Sequence, residues 1–194
     1  MKICVFGASS ATIDRKYIEA VEDLGEKMAK KGHSLVFGAG ATGLMGAAAR
    51  GVKRGGGYIH GIIPEFFREE GVEIIYQECD ELTYTGTMAE RKFLMEQDAD
   101  AFIVTPGGIG TFEEFYEVLT LKQLGQHNKA IVIFNIDRYY RELEDFMCRV
   151  EEKGFITPDC HKLYAYCSTP EEILDYLENY VPYTGDLKRL KPNT

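Results

Sequence analysis

The chain is predicted to fold as one α/β domain, a Rossmann-like three-layer sandwich around a mainly parallel sheet, and three observations predict it. Runs such as Ile3-Cys4-Val5-Phe6, Ala101-Phe102-Ile103-Val104 and Ile131-Val132-Ile133-Phe134 are apolar throughout rather than alternating, the mark of strands buried on both faces. Segments of helical periodicity separate them, as in repeated β–α units. With 194 residues and 45% hydrophobic content, the chain is long enough for one well-buried core and short for two.

In order, residues 3–6 read as the first strand, and Gly7-Ala8-Ser9-Ser10 as its turn. A helix over about 12–30 follows, with Ile13, Tyr17, Val21, Leu24 and Met28 on one face, and Gly32 stops it. Residues 35–37 form a second strand, and a Gly-rich turn at 38–46 leads into a small-residue helix through Arg50. Gly55-Gly56-Gly57 precedes a third strand at 58–63, and 74–77, Ile-Ile-Tyr-Gln, reads as a fourth. A helix over 85–97 delivers the chain to the strand at 101–104. Then come a helix at 112–124, a strand at 131–134, a helix at 140–152, an extended run at 163–166 and a helix at 170–180. The domain spans 1–181, and 182–194 is a C-terminal tail, frayed or docked on a partner. No repeat or linker divides the chain.

The net charge of −9 and pI near 5.0 disfavour nucleic acid or an anionic membrane as partner, since both would repel the molecule. No apolar stretch approaches the roughly 20 residues of a membrane span, and no leader pattern opens the chain. The five cysteines lack a Cys-x-x-Cys pair and sit mostly in apolar surroundings, which suits a reducing compartment. A soluble, cytoplasmic protein is expected.

In a parallel sheet of this kind, ligands bind beyond the carboxyl ends of the strands, so the turns at 7–10, 38–46 and 105–111 are expected on one rim. Pro106-Gly107-Gly108-Ile109-Gly110-Thr111-Phe112-Glu113-Glu114 is the strongest signal. Its glycines let a ligand approach the main chain closely, and its amides form an anion nest. Thr111 and Glu114 also have the spacing of a capping box, which alone accounts for both residues but not for three glycines. The second glycine turn, Gly38-x-Gly40-x-x-Gly43, matches a dinucleotide fingerprint, with Glu65 placed downstream to hold a ribose hydroxyl. Against that reading, the motif follows the second strand, and no length remains for a substrate domain. Glu113, Glu114 and Glu117 make the rim after 101–104 electronegative, which favours phosphate at the acid-free turn 38–46, while the amides of 107–111 offer a competing nest; the sequence leaves the choice between the two turns open. Arg91 and Lys92 are either ligands of the substrate or solvated charges paired with nearby acids. Tyr84 is either a core residue or faces a base. The histidines show no metal spacing and no triad pattern.

With Met88-Ala89-Glu90-Arg91-Lys92 followed by the Pro-Gly-Gly-x-Gly-Thr-x-x-Glu run, the chain resembles the lonely-guy family of cytokinin-activating phosphoribohydrolases. Val5 to Ser10, Gly40 to Gly46 and Gln123-Leu124-Gly125-Gln126-His127-Asn128-Lys129 look like family segments in family order, over about residues 1–180. Gly7-Ala8 stands where members often have Cys-Gly, and Ala89 where many have His. The resemblance implies hydrolysis of the N-glycosidic bond of a nucleoside 5′-monophosphate, AMP or an N6-modified AMP. It implies Arg91 and Glu114 as catalytic residues. Gly7, Ser9, Ser10, Gly40, Thr42, Gly43, Met88, Arg91, Lys92, Gly107, Gly108, Gly110, Thr111 and Glu114 would contact the substrate. It also implies a homodimer or larger assembly, for which the helix at 112–124 is a candidate interface. No metal or organic cofactor is called for. The residues also admit a non-catalytic nucleotide or molybdopterin-type carrier. Relatives are often labelled lysine decarboxylases, but nothing marks a lysine for pyridoxal phosphate.

Overall fold

The computed structural model describes residues 1–71 and 73–191; of the tail, 192–194 lie outside the described residues. Seven strands, β1 (Lys2–Phe6), β2 (Ser34–Phe37), β3 (Ile59–Pro64), β4 (Glu81–Thr85), β5 (Ala101–Val104), β6 (Ala130–Phe134) and β7 (Ala165–Cys167), form one sheet in the order β4-β3-β2-β1-β5-β6-β7. Every pairing is parallel. The helices are α1 (Arg15–Lys30), α2 (Gly43–Arg54), α3 (Glu65–Glu69), α4 (Met88–Asp98), α5 (Ile109–Gln123), α6 (Arg141–Glu152) and α7 (Pro170–Glu178).

Period-two side-chain alternation sends Ile3 and Val5 of β1 to one face and Cys4 and Phe6 to the other, and all four are buried. The first face is covered by Leu24 and Met28 of α1, Ala47 and Ala48 of α2, and Ile173 and Leu174 of α7. Met95 of α4, Phe115 and Val118 of α5 and Met147 of α6 cover the second. Two cores flank one sheet, the three-layer sandwich expected. Strand order reverses between β1 and β5, so the crevice beyond their carboxyl ends is the topological switch point at which such sheets bind ligands.

Two expected elements are corrected. Residues 74–77 are no strand: Ile75 makes only an isolated antiparallel bridge to Gly40, and β4 lies at Glu81–Thr85. The β-forming Ile-Ile-Tyr run is used instead to tuck Tyr76 edge-on against Phe37. β4 was obscured because an edge strand carries polar side chains such as Glu81 and Thr83. The helix expected from 112 begins at Ile109, with Gly108 as its N-cap and no side chain capping it, so Thr111-x-x-Glu114 is not a capping box. Tail residues dock on their own chain: Leu190 is fully buried, Gln123 donates to its carbonyl at 2.8 Å, and Asn128 donates to the Tyr183 carbonyl at 2.7 Å. Among the described residues no helix is long and apolar enough to cross a membrane.

Candidate active site

The loops leaving β1 and β5 are stitched together. Thr105 donates through its amide and its hydroxyl to the Phe6 carbonyl, and the Ala8 amide donates to Pro106 O at 3.2 Å. A Cβ on Gly7 would lie 2.2 Å from Thr105 Oγ1, so only glycine lets the two loops meet. From behind, Tyr139 Oη donates to Gly107 O at 2.8 Å and Tyr140 Oη to Thr105 O at 2.7 Å. These bonds anchor the carbonyls of the loop at the start of α5. Gly108 and Gly110 face open space and no acid stands in the first turn of α5, so its amides form an anion-receptive end.

Next to this end lies a cavity of about 420 Å³, within the range of small-molecule sites. Arg91 of α4 reaches it from below, 5% exposed, with Nε on the Ile62 carbonyl at 3.2 Å and Nη1 3.4 Å from Glu114 Oε1. Burial pushes the Glu114 carboxyl up to about 7 against the pull of Arg91, with Glu113 adding to the rise. A carboxyl poised there is ionised in part at neutral pH, the condition for a general base. Burial likewise raises Glu73, opposed by the Ser9 hydroxyl and the Arg91 charge. Met45, Phe67 and Met88 supply apolar wall.

Of the residues singled out from the sequence, Gly7, Ser9, Ser10, Met88, Arg91, Gly108, Gly110, Thr111 and Glu114 line this cavity together. Gly40, Thr42, Gly43, Gly107 and Lys92 do not. Gly107 packs behind Thr111, where a Cβ would fall 2.0 Å from Oγ1. Thr42 donates to Ser9 O at 2.5 Å, and Gly43, at φ +60°, lies against Ala8 O, so both shape the turn after β1. Lys92 is turned to Glu113 and to Glu117, the latter at 2.7 Å. That pairing offsets the acidic rim expected after β5.

Of the two turns that the sequence leaves open for a phosphate, 38–46 has its helix-start amides already engaged. At the start of α2 the Leu44 and Met45 amides already donate to Ala8 O, at 2.7 and 3.4 Å. The fingerprint glycines serve other purposes: a Cβ on Gly38 would sit 1.7 Å from Arg91 Nη2, and one on Gly40 2.7 Å from Glu73 Oε1. They make room for two charged side chains, not for a pyrophosphate. Glu65 pairs with Arg68 at 3.0 Å, and Tyr84 is exposed under the Arg68 guanidinium rather than in the core. Sequence reasoning missed Ala8, Met45, Phe67 and Glu73. Glu73 carried no signal, since Glu69-Glu70-Gly71-Val72-Glu73 reads as solvated charge.

Fold and site together define a Rossmann-like α/β protein with a cavity on the carboxyl rim, built from an anion-receptive helix start and a buried carboxylate–arginine pair. A family model described as "Possible lysine decarboxylase" matches residues 45–177. A rice protein (Oryza sativa subsp. japonica) named "Probable cytokinin riboside 5′-monophosphate phosphoribohydrolase" is 39% identical over 94% of this chain and 85% of its own. An Arabidopsis thaliana cytokinin riboside 5′-monophosphate phosphoribohydrolase is 38% identical over 93% and 83%. The chain belongs to this phosphoribohydrolase family, the lonely-guy family that the motifs resemble. Among solved structures, the molybdenum cofactor carrier protein of Chlamydomonas reinhardtii superposes with a TM-score of 0.69 at 21% identity, over 91% of this chain and 95% of that one, a likeness of fold.

Proposed function

We propose that the protein hydrolyses the N-glycosidic bond of a nucleoside 5′-monophosphate, AMP or an N6-substituted AMP, giving free base and ribose 5-phosphate. The observation that carries this reading is the buried Arg91–Glu114 pair set beside the uncapped start of α5. The names of the relatives support it. The 5′-phosphate binds the amides from Gly108 to Thr111, where the helix dipole favours negative charge. Departure of the base builds positive charge on the ribose, as in other glycoside cleavages. Ionised Glu114 stabilises that charge and accepts a proton from the attacking water. A guanidinium is no proton donor in catalysis, so Arg91 holds Glu114 and draws the anionic substrate inward. The wall of Met45, Phe67 and Met88 suits a flat base and a short apolar substituent.

The test is incubation with AMP and N6-prenyl-AMP while free base is followed. Release by the wild type, lost in Glu114→Gln, is expected. Tight nucleotide binding without turnover would mark a carrier instead. We also propose that two copies pair through α4 and α5, whose Phe93, Ile109 and Tyr116 are exposed, which light scattering of the purified protein checks. Five free thiols support a reducing, cytoplasmic setting.

A further inference from the structure

The cavity holds a second carboxylate that no part of the reaction has yet used. Glu73 arrives from the connection between α3 and β4, across the sheet from α5, and stands beside Met45 and Phe67. Its position is fixed by the residues that follow it. Ala41 N donates to Ile74 O at 2.7 Å and Tyr76 N to Ala39 O at 2.8 Å, which clamps the residues just after it to the exit of β2. That clamp requires Ala39 to adopt φ +62°, a conformation costly for a residue with a side chain. Gly40 lacks the Cβ that would collide with the Glu73 carboxyl. Backbone strain, a two-bond bridge and a bare glycine all converge on placing one acid.

Hydrolysis of the N-glycosidic bond leaves one proton unassigned. When C1′–N9 breaks, the bonding electrons go to the base, which leaves far more readily if a ring nitrogen is protonated at the same time. Arg91 cannot supply that proton. Glu114, at the α5 end, faces the sugar and the water. Among the described residues, Glu73 is the ionisable side chain lining the cavity that remains, and it lines it together with Met45 and Phe67, the apolar wall that fits the base.

Resting on that reading, we propose that Glu73 is the general acid of the reaction, giving its carboxyl proton to a ring nitrogen of the departing base. The C1′–N9 pair passes to the base, water adds its oxygen to C1′ and yields a proton to Glu114, and solvent returns Glu73 and Glu114 to their starting states. Desolvation of Glu73, which favours the protonated carboxyl, agrees with this role.

The experiment compares Glu73→Gln with wild type on two substrates: AMP, and 4-nitrophenyl ribofuranoside 5-phosphate, whose leaving group departs without a proton. Loss of about 100-fold or more in kcat on AMP is expected, with less than about fivefold on the nitrophenyl compound. Calorimetric binding of ribose 5-phosphate should stay within about twofold, showing an intact site. Gly40→Ala, which pushes the carboxyl aside, should show the same selectivity in weaker form, about tenfold on AMP. Equal losses on both substrates, or an unchanged rate on AMP, would overturn the assignment while leaving the hydrolase standing. A wild type that cleaves neither substrate would sink the hydrolase reading and this one with it.

Discussion

The starts of α2 and α5 look alike in sequence and do opposite work. Both follow a buried strand, both are glycine-rich, and both lack a side-chain cap. At α2 the amides of Leu44 and Met45 are spent on Ala8 O, and Gly38 and Gly40 are empty because Arg91 and Glu73 lie where a Cβ would go. At α5 the amides are open, and a Cβ on Gly108 or Gly110 would meet nothing within 4 Å. A glycine that excludes a neighbour and a glycine that admits a ligand are the same letter. Only the packing tells them apart.

If α5 carries the chemistry, the largest effect falls on its carboxylate. Glu114→Gln should lower kcat on AMP by about 10³-fold or more, since it removes both a base and a charge aimed at the developing cation. Circular dichroism should show an unchanged fold. A variant within tenfold of wild type would move the chemistry away from α5.

Exchanging alanine between the two glycine turns sharpens the contrast. Gly38→Ala puts a Cβ 1.7 Å from the buried Arg91 guanidinium, which must shift. Overpacking of this kind costs about 1–3 kcal/mol, or roughly 3–10 °C in Tm for a chain of this size, and activity should fall about 100-fold as Arg91 leaves Glu114. Gly108→Ala, at φ −102°, adds its methyl to open cavity. Its Tm should stay within about 1 °C while KM for AMP rises about tenfold. Equal Tm losses would mean that the two turns are equivalent after all.

The acid–base balance at α5 sets a pH dependence. Glu114 must be ionised to act, and its carboxyl sits at about 7. Activity should therefore rise with pH as Glu114 ionises and, because Glu73 acts in its protonated form, fall again at higher pH, a bell-shaped profile whose descending limb Glu73→Gln should lose. The substrate phosphate titrates near 6, about a unit lower, so a rising limb centred at 6 or below would assign the limb to the substrate instead.

How much of this was legible in the sequence follows the same division. Strands β1, β5 and β6 were plain, because a strand buried on both faces must be apolar throughout. Edge strand β4 was not, since polar residues there are tolerated and the β-forming run 74–77 outbid it. Thr-x-x-Glu occurs at three helix starts. Thr169 and Glu172 make a full capping box, and Thr87 accepts from the Glu90 amide, but Thr111 and Glu114 cap nothing. Spacing alone could not separate them, because what differs is a buried arginine 23 residues upstream that claims Glu114. Glu73 was invisible for the complementary reason: a surface-like acid becomes a site residue only through the bridge that folds it over Gly40.

The smallest effect is expected one residue from Arg91, and it tests whether the Arg-Lys pair acts as a unit. Arg91 is 5% exposed and points under Gly38, whereas Lys92 projects the other way, to Glu113 and Glu117 on the outer side of α5. Successive helix residues lie about 100° apart, so two neighbours cannot both enter a cavity seated on one side of α4. Partly exposed pairs of this kind contribute roughly 0.2–1 kcal/mol each. Lys92→Gln, which removes two such pairs, should thus cost about 8 °C in Tm at most and change kcat/KM by less than about threefold, with the residual coming from an acidic rim no longer neutralised. That residual should shrink in 0.5 M salt, where the Debye length falls to about 4 Å. A loss beyond about 30-fold that salt does not relieve would place the ammonium on the phosphate, and would mean that α4 swings far enough on binding to turn a surface strut into a ligand.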